Sequence, residues 1–361
     1  MAPPRTTRPR HLRTRALRAT ALAAAAVVLS GVLTSCGSAP AGSTTAAAST
    51  STDGAFPVTV TNCGSKLTFT KPPTRAVSND INTTEDMLAL GVESHMVGDF
   101  GVNSDGPNGK AIPQQYQAAF QQVPTISPSY FTLEPLVGLR PDFLFAGWNY
   151  GLHTGTDLTP DGLAKYGIKT LALTESCAHV QSGTSSVSID DTYQDLTNLG
   201  QIFGVRTKAQ QLIDSMKTEV AAAQAKTAGQ APLRVFVYDS GQPAPFTAGG
   251  LAMPDALIQL GGGTNVFAGL KQSWTSVSWE QVAAADPQCI IINDYGTPSA
   301  DQKQQFLETS PITKNLTAVK NRCFLTLAYD QLTPGPRNAE AVTAIARWLH
   351  PTAFGLPTTG A

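Results

Sequence analysis

The stretch SIDDTYQDLTNLGQIFGVRTKAQQLIDSMKTEVAAAQAKTAG, residues 188–229, carries the longest helical pattern of the chain and lies near the middle of its mature part. In its second half Ala209, Leu212, Ile213, Met216 and Val220 recur at the spacing of one helix face, with Lys208, Asp214, Lys217 and Glu219 between them. Thr207 is placed to cap the start and Gly229 to stop the helix, while Gly200 and Gly204 are expected to break the first half into a helix of its own. A helix over 206–228 is roughly 33 Å long at 1.5 Å per residue, enough to pass from one domain to another. Its flanks decide whether it bridges two domains or covers one.

Upstream, residues 56–69 alternate and contain Asn62-Cys63-Gly64, a hairpin signal. Short strands follow at 75–78, 95–98, 141–147 and 169–173, separated by helices near 83–90, 134–139 and 158–166. Downstream the same grammar returns, with strands at 233–238, 289–292 and 324–327 and helices at 254–260, 278–285 and 338–349. Strands alternating with helices predict mainly parallel, doubly wound sheets. Both halves also contain one shared unit: a helix, a Pro-Asp or Asp-Pro step, then a buried strand. It spans 133–145 in the first half and 278–292 in the second, a weak internal duplication. The predicted class is therefore α/β, with two Rossmann-like lobes joined by a single long backbone helix.

With 361 residues, the chain is long enough for two cores. The near-neutral net charge of −1 hides an asymmetry. Arg5, Arg8, Arg10, Arg13, Arg15 and Arg18 crowd the N-terminus, and no Asp, Glu or Lys precedes Cys36. The remainder is acidic, which argues against nucleic acid or an anionic membrane surface as a partner.

The basic segment leads into an apolar run at 19–33 that is short for a membrane span of about 20 residues and fits an export signal. It ends in Leu33-Thr34-Ser35-Cys36, which resembles a bacterial lipobox, so Cys36 is the expected lipidation site. Residues 37–55, rich in Ala, Ser, Thr and Gly, read as a flexible tether. The expected organisation is a signal peptide at 1–35, the lipidated cysteine and tether at 36–55, an N-terminal lobe at 56–188, connecting helices at 189–230 and a C-terminal lobe at 231–361. The folded part is expected outside the cytoplasmic membrane, held there by its N-terminal lipid only.

Cys63, Cys177, Cys289 and Cys323 remain, an even number in an exported chain, with three possible pairings. If the long helix divides the lobes, Cys63–Cys177 and Cys289–Cys323 is the consistent choice. Each cysteine of the second pair opens an apolar strand. A four-thiolate metal site is the rival and lacks any CxxC spacing.

The segments PPTRAVSNDINTTEDMLALGVESHMVG (72–98), EPLVGLRPDFLFAG (134–147), WTSVSWEQVAAADPQCIIIND (274–294) and 322–351, with its Pro334-Gly335-Pro336-Arg337, carry a resemblance. The chain resembles the helical-backbone class of substrate-binding proteins of ABC importers, which serves ferric siderophores, haem and cobalamin. The resemblance covers 56–351 and rests on the order and spacing of these segments. It implies a ligand cleft between the lobes, small closure, and capture of an iron complex such as a ferric siderophore for delivery to an ABC permease dimer. It also implies that Glu134 and Glu280, at matching positions of the duplicated unit, dock onto permease arginines. Their position at helix starts has an independent reading, a carboxylate at the positive end of a helix dipole.

Strand ends on the cleft side offer a candidate ligand set: Asp80, Tyr130, Trp148, Asn149, Tyr150 and Glu175 from the first lobe. Tyr238, Trp274, Tyr295, Tyr329 and Arg337 come from the second. Rings with a few polar groups suit a flat, partly apolar ligand, and Arg337 is placed to pair with a carboxylate or a charged siderophore. Bare-metal binding is disfavoured, because His95, His153, His179 and His350 are scattered, and no cofactor is expected. Haem or cobalamin binding and a ligand-sensing lipoprotein share the architecture. An exported enzyme lacks the phosphate-loop, GxSxG and HExxH signatures. A monomer is expected.

Overall fold

Parallel strands buried on both faces read as unbroken apolar runs, and two such sets organise this chain. The computed structural model describes residues 53–103, 112–183 and 186–357. The signal segment, Cys36 and the tether up to residue 52 lie outside the described residues. An antiparallel hairpin, β1 (Val58–Asn62) and β2 (Ser65–Phe69), comes first. Its turn residues Cys63 and Gly64 both have positive φ, the geometry of a tight hairpin turn. Next come β3 (Ala76–Asn79), α1 (Ile81–Ala89), β4 (Met96–Phe100), α2 (Gln117–Phe120), β5 (Thr125–Ser127), α3 (Leu133–Gly138), β6 (Phe143–Trp148), β7 (Gly151–Leu152), α4 (Pro160–Ala164) and β8 (Lys169–Ala172). They form a parallel six-stranded sheet ordered β5-β4-β3-β6-β7, with β8 paired to β6.

Two helices follow, α5 (Ile189–Phe203) and α6 (Arg206–Thr227), the second 22 residues long. The second lobe runs β9 (Leu233–Tyr238), β10 (Phe246–Ala248), α7 (Met253–Leu260), β11 (Gly263–Asn265), β12 (Trp274–Ser276), α8 (Trp279–Ala285) and β13 (Cys289–Asp294). It ends with α9 (Ala300–Thr309), α10 (Thr317–Lys320), β14 (Phe324–Ala328), α11 (Tyr329–Leu332) and α12 (Asn338–Leu349). Its parallel sheet is ordered β11-β9-β13-β14, and β10 and β12 form a separate antiparallel pair.

The two sheets repeat one plan. β4-β3-β6-β8 and β11-β9-β13-β14 both place the first strand between the second and third, with the fourth outside. α3 precedes β6 as α8 precedes β13, so the duplicated unit of the sequence is a duplicated position in the fold. Each lobe therefore has a switch point, between β3 and β6 and between β9 and β13, where open α/β sheets bind ligands at their carboxyl ends.

α6 buries Ala209, Ile213, Met216, Val220 and Ala223 and packs on α5 and on α12. Three details differ from the sequence reading. Gly200 does not break the first helix. It lies inside α5, where an added Cβ would stand 2.5 Å from that of Ala209, so it allows the close approach of α6. Gly204, at φ 72°, ends α5 in the left-handed region. Thr207 is not the cap, because α6 begins one residue earlier; Asp53 Oδ1 accepts the Thr207 N–H at 3.0 Å instead. Residues 53–55, read as tether, are thus tied to the helix start, with Ala55 O accepting from Arg206 as well. Both disulfides lie within a lobe, Cys63–Cys177 and Cys289–Cys323, at Cα separations of 5.2 and 4.7 Å. The second joins the starts of the neighbouring strands β13 and β14.

Candidate functional site

β3 ends at Asn79 and α1 begins at Ile81, which leaves Asp80 at the switch point of the first sheet. Its backbone is held at φ 88°, unusual for a residue with a Cβ and a mark of a constrained site. One carboxylate oxygen caps α1 by accepting from Ile81 N at 2.8 Å. The other accepts from the Tyr130 hydroxyl at 2.6 Å and from the Tyr329 hydroxyl at 2.7 Å. Tyr329 opens α11 directly after β14, so this carboxylate joins the lobes. Burial, then the negative Asp80, raise both phenol pKa values, so the hydroxyls remain donors. Asn79 fixes the surrounding loops: its Nδ2 donates to Tyr150 O at 2.8 Å and its Oδ1 accepts from Phe131 N at 2.9 Å.

Asp239 follows β9 as Asp80 follows β3. It accepts from Asn293 Nδ2 at 2.7 Å, from Ser240 Oγ at 2.8 Å and from the Tyr295 hydroxyl. Behind Tyr295 the buried Lys303 donates to Asn293 O at 2.6 Å, with its ammonium 4.4 Å from the Tyr295 ring centre. The Tyr295 ring meets Tyr329 edge-on at 5.6 Å. Phe246 on β10 and Trp274 on β12 stack at 6.1 Å and form a second aromatic wall. Across from them Asn149 bonds His179 Nδ1 at 3.1 Å, and desolvation lowers the His179 pKa. Between the strand ends of the two lobes these groups enclose a cavity of about 330 Å³.

Six of the sequence candidates line this cavity: Tyr130, Asn149, Tyr150, Trp274, Tyr295 and Tyr329. Asp80 lies beneath them, fully buried. Glu175 is buried beside the wall; its Oε1 accepts from Ser273 Oγ at 3.5 Å, and burial pushes its pKa up to about 8. Three candidates are corrected. Trp148 continues the alternation of Leu144 and Ala146 and packs with them in the core, so its ring faces away from the cavity. Tyr238 continues that of Phe236 and packs on Trp279, its ring centre 5.5 Å away. Arg337 is held by Asp330 at 2.6 Å and Glu340 at 3.1 Å, away from the cavity lining.

His179, Asp239, Phe246 and Ser273, outside the candidate ligand set, also line the cavity. Asp239 had a signal, since it repeats the position of Asp80 one residue past the first strand of its sheet. His179, Phe246 and Ser273 sit on a short turn, a three-residue strand and a loop that carry no periodic pattern. Glu134 and Glu280 are both exposed, each in the first turn of its helix, α3 and α8. Among the described residues, no cluster of three His, Cys, Asp or Glu could hold a metal ion. No helix there is long and apolar enough to cross a membrane.

A family model described as periplasmic binding protein matches residues 77–329. The vitamin B12-binding protein of Salmonella typhimurium is 30% identical over 187 residues, 52% of this chain and 64% of that protein. The match thus spans less than two thirds of that relative's length. An uncharacterised ABC transporter substrate-binding lipoprotein of Bacillus subtilis is 25% identical over 304 residues, 83% of this chain and 87% of that one. A periplasmic binding protein of known structure from Veillonella parvula is similar with a TM-score of 0.69 at 29% identity, covering 81% of this chain and 97% of that chain.

Proposed function

The chain belongs to the periplasmic binding protein family, and from that premise we propose that it is an extracytoplasmic solute-binding lipoprotein for an iron complex. In this reading it captures a ferric siderophore and hands it to an ABC permease. The observation that carries the reading is the cavity itself. Duplicated strand ends of two lobes meet around it, and its walls are tyrosine, tryptophan and phenylalanine with few polar groups. The lobes are taken as 56–188 and 231–361, with 189–230 between them. Cys36 carries the lipid, and Glu134 and Glu280 form the permease contact. A corrinoid is the second reading, favoured by the identity to the vitamin B12-binding protein.

Trp274 lines the cavity, whereas Trp148 and Trp279 are buried in the core. Tryptophan emission should therefore quench on adding the right metal complex, and Trp274→Phe should remove most of the change. No response to a broad panel of ferric siderophores, haem and corrinoids would refute the reading.

A further inference from the structure

α1 is the part of the N-terminal lobe that the C-terminal lobe covers. Asn82 Nδ2 donates to Pro334 O at 2.6 Å, and a Cβ added to Gly335 would stand 3.3 Å from that of Asn82. One turn further along, Glu85 is fully buried. Among the described residues, neither of its carboxyl oxygens receives a hydrogen bond. The group it faces is another carboxyl, Asp330 of α11. Two acceptor-only groups do not meet in a buried site unless one of them carries a proton.

The surroundings decide which of the two holds it. Arg337 donates to Asp330 Oδ2 at 2.6 Å and to Glu340 Oε2 at 3.1 Å, so the negative charge of the pair sits on Asp330. Burial, then the Asp330 carboxylate, raise the Glu85 pKa well above the usual carboxylate range, and Arg337 offsets only part of this. The other titratable groups around the pair are acids. Asp86, on α1 itself, is raised by burial and then by Asp195 of α5. Tyr116 feels Glu85, Asp86 and Glu340, and burial, then these carboxyls, push its pKa up to about 12. Asp330 is also the neighbour of Tyr329, which lines the cavity and donates to Asp80 at 2.7 Å, and Asp80 in turn caps α1. The carboxyl pair and the cavity floor are thus two contacts between the same two elements, α1 and α11.

We propose that Glu85 and Asp330 share one proton across the lobes, and that this proton latches the cleft from behind its floor. With the proton in place, Glu85 donates to Asp330 and α1 is held against α11. When it leaves, two buried carboxylates face each other beside one guanidinium that Glu340 already shares, and the lobes loosen at the floor. The sign follows from linkage: Glu85 holds its proton more tightly folded than unfolded, so the latch is set in acid and released as the pH rises. The device is the same whichever solute the cleft takes, and its test needs no ligand.

The experiment is hydrogen exchange of the full-length protein from pH 5 to pH 9, read by mass spectrometry and corrected for the intrinsic pH dependence of exchange. Residues 81–90 and 325–335 are expected to exchange at least about threefold faster at pH 9 than at pH 5, relative to β13, which reports opening of the core. Glu85→Gln places an amide that donates to Asp330 at every pH and should abolish the acceleration. Asp330→Asn, whose amide can donate to an ionised Glu85, should abolish it too, so the test stands if one of the two variants does not fold. A wild type without the acceleration overturns the latch whatever the variants do. Acceleration that persists in Glu85→Gln moves the pH dependence to Asp86 and Asp195 and overturns the latch as well. Acceleration that persists in Asp330→Asn overturns the pairing of Glu85 with Asp330.

Discussion

The Tyr329 hydroxyl, carried by the C-terminal lobe, donates to the Asp80 carboxylate of the N-terminal lobe at 2.7 Å. The same oxygen takes the Tyr130 hydroxyl at 2.6 Å, so one buried carboxylate fixes both sides of the cavity floor. The unusual backbone of Asp80 is held in place by this arrangement, by its cap to Ile81, and by its own N–H, which donates to Phe100 O at 2.8 Å. A floor tied across the lobes, beside a 22-residue helix that packs on both α5 and α12, favours a preformed cleft over a wide hinge motion.

Tyr329→Phe keeps the ring and its edge contact with Tyr295 but removes the donor. A bond to a charged acceptor is worth about 1.5–3 kcal/mol. The melting temperature should fall by a few degrees, measured by scanning calorimetry without ligand. A melting temperature unchanged within a degree would show that the lobes are not held together there.

Buried carboxyl groups make stability depend on pH in an unusual direction. Burial pushes Glu175 and Asp195 up to about 8, although Thr174 donates to Asp195 and acts the other way. Glu85 and Asp86 are raised by burial as well. A carboxyl with a higher pKa in the folded state binds more protons folded than unfolded. Its contribution is complete below the unfolded pKa of about 4 and is lost as the pH rises to about 8. Unfolding free energies from urea melts should therefore decline from pH 5 to pH 8, with a slope approaching about 1.4 kcal/mol per pH unit for each such group. Glu175→Gln and Asp195→Asn should each flatten the decline. Midpoints that rise over this range would contradict the assignment.

The parts legible in the sequence were those fixed by local periodicity and by strand ends. The run Cys289-Ile-Ile-Ile reads as a strand, and it forms β13, buried along its length up to Asn293. The spacing of Ala209, Ile213, Met216 and Val220 became the buried face of α6. Strand ends located the cavity, but they could not say which way each side chain turns. A strand that runs one residue further keeps its alternation, and this turns Trp148 into the core while Tyr150, past the turn at Asn149, reaches the cavity. α1 was legible as a helix but not as a buried one. Its Asn82, Thr83, Thr84, Glu85 and Asp86 are all enclosed, and Asn82 Nδ2 donates to Pro334 O of the other lobe at 2.6 Å. Polar residues at helical spacing read as a solvated face until the second lobe is present to cover them.

The two disulfides differ in how much chain they close. Cys63–Cys177 spans 114 positions and Cys289–Cys323 spans 34. Loop-closure entropy alone gives about 5 and about 4 kcal/mol respectively. Paired serine substitutions should thus lower the denaturation midpoint in both cases, more for Cys63 with Cys177. The reverse order in matched urea melts would mean that the hairpin around Cys63 is held mainly by β1, β2 and α5.

Gly200 tests the packing of α5 on α6. With an added Cβ only 2.5 Å from that of Ala209, Gly200→Ala should push the helices apart despite its better helix propensity, at a cost of about 1–3 kcal/mol. Gly138 closes α3 with nothing within 4 Å of such a Cβ, so Gly138→Ala should be neutral or stabilising by up to about 1 kcal/mol. Equal effects of the two substitutions, read from urea melts, would remove the close approach of α5 and α6 as an explanation for the glycine.

Glu134 and Glu280 occupy equivalent turns of the two lobes, are exposed, and stand apart from the cavity lining. Ser278 and Gln281 cap α8 reciprocally without Glu280, and the melting temperature should change little when both glutamates are replaced by alanine. If they form the permease contact, the double variant should bind ligand with unchanged affinity yet fail to support uptake in cells, and each single variant should fall between. The split between binding and uptake is the informative readout. Loss of ligand affinity would place these carboxylates with the cavity, and full uptake by the double variant would leave them as ordinary helix-start residues.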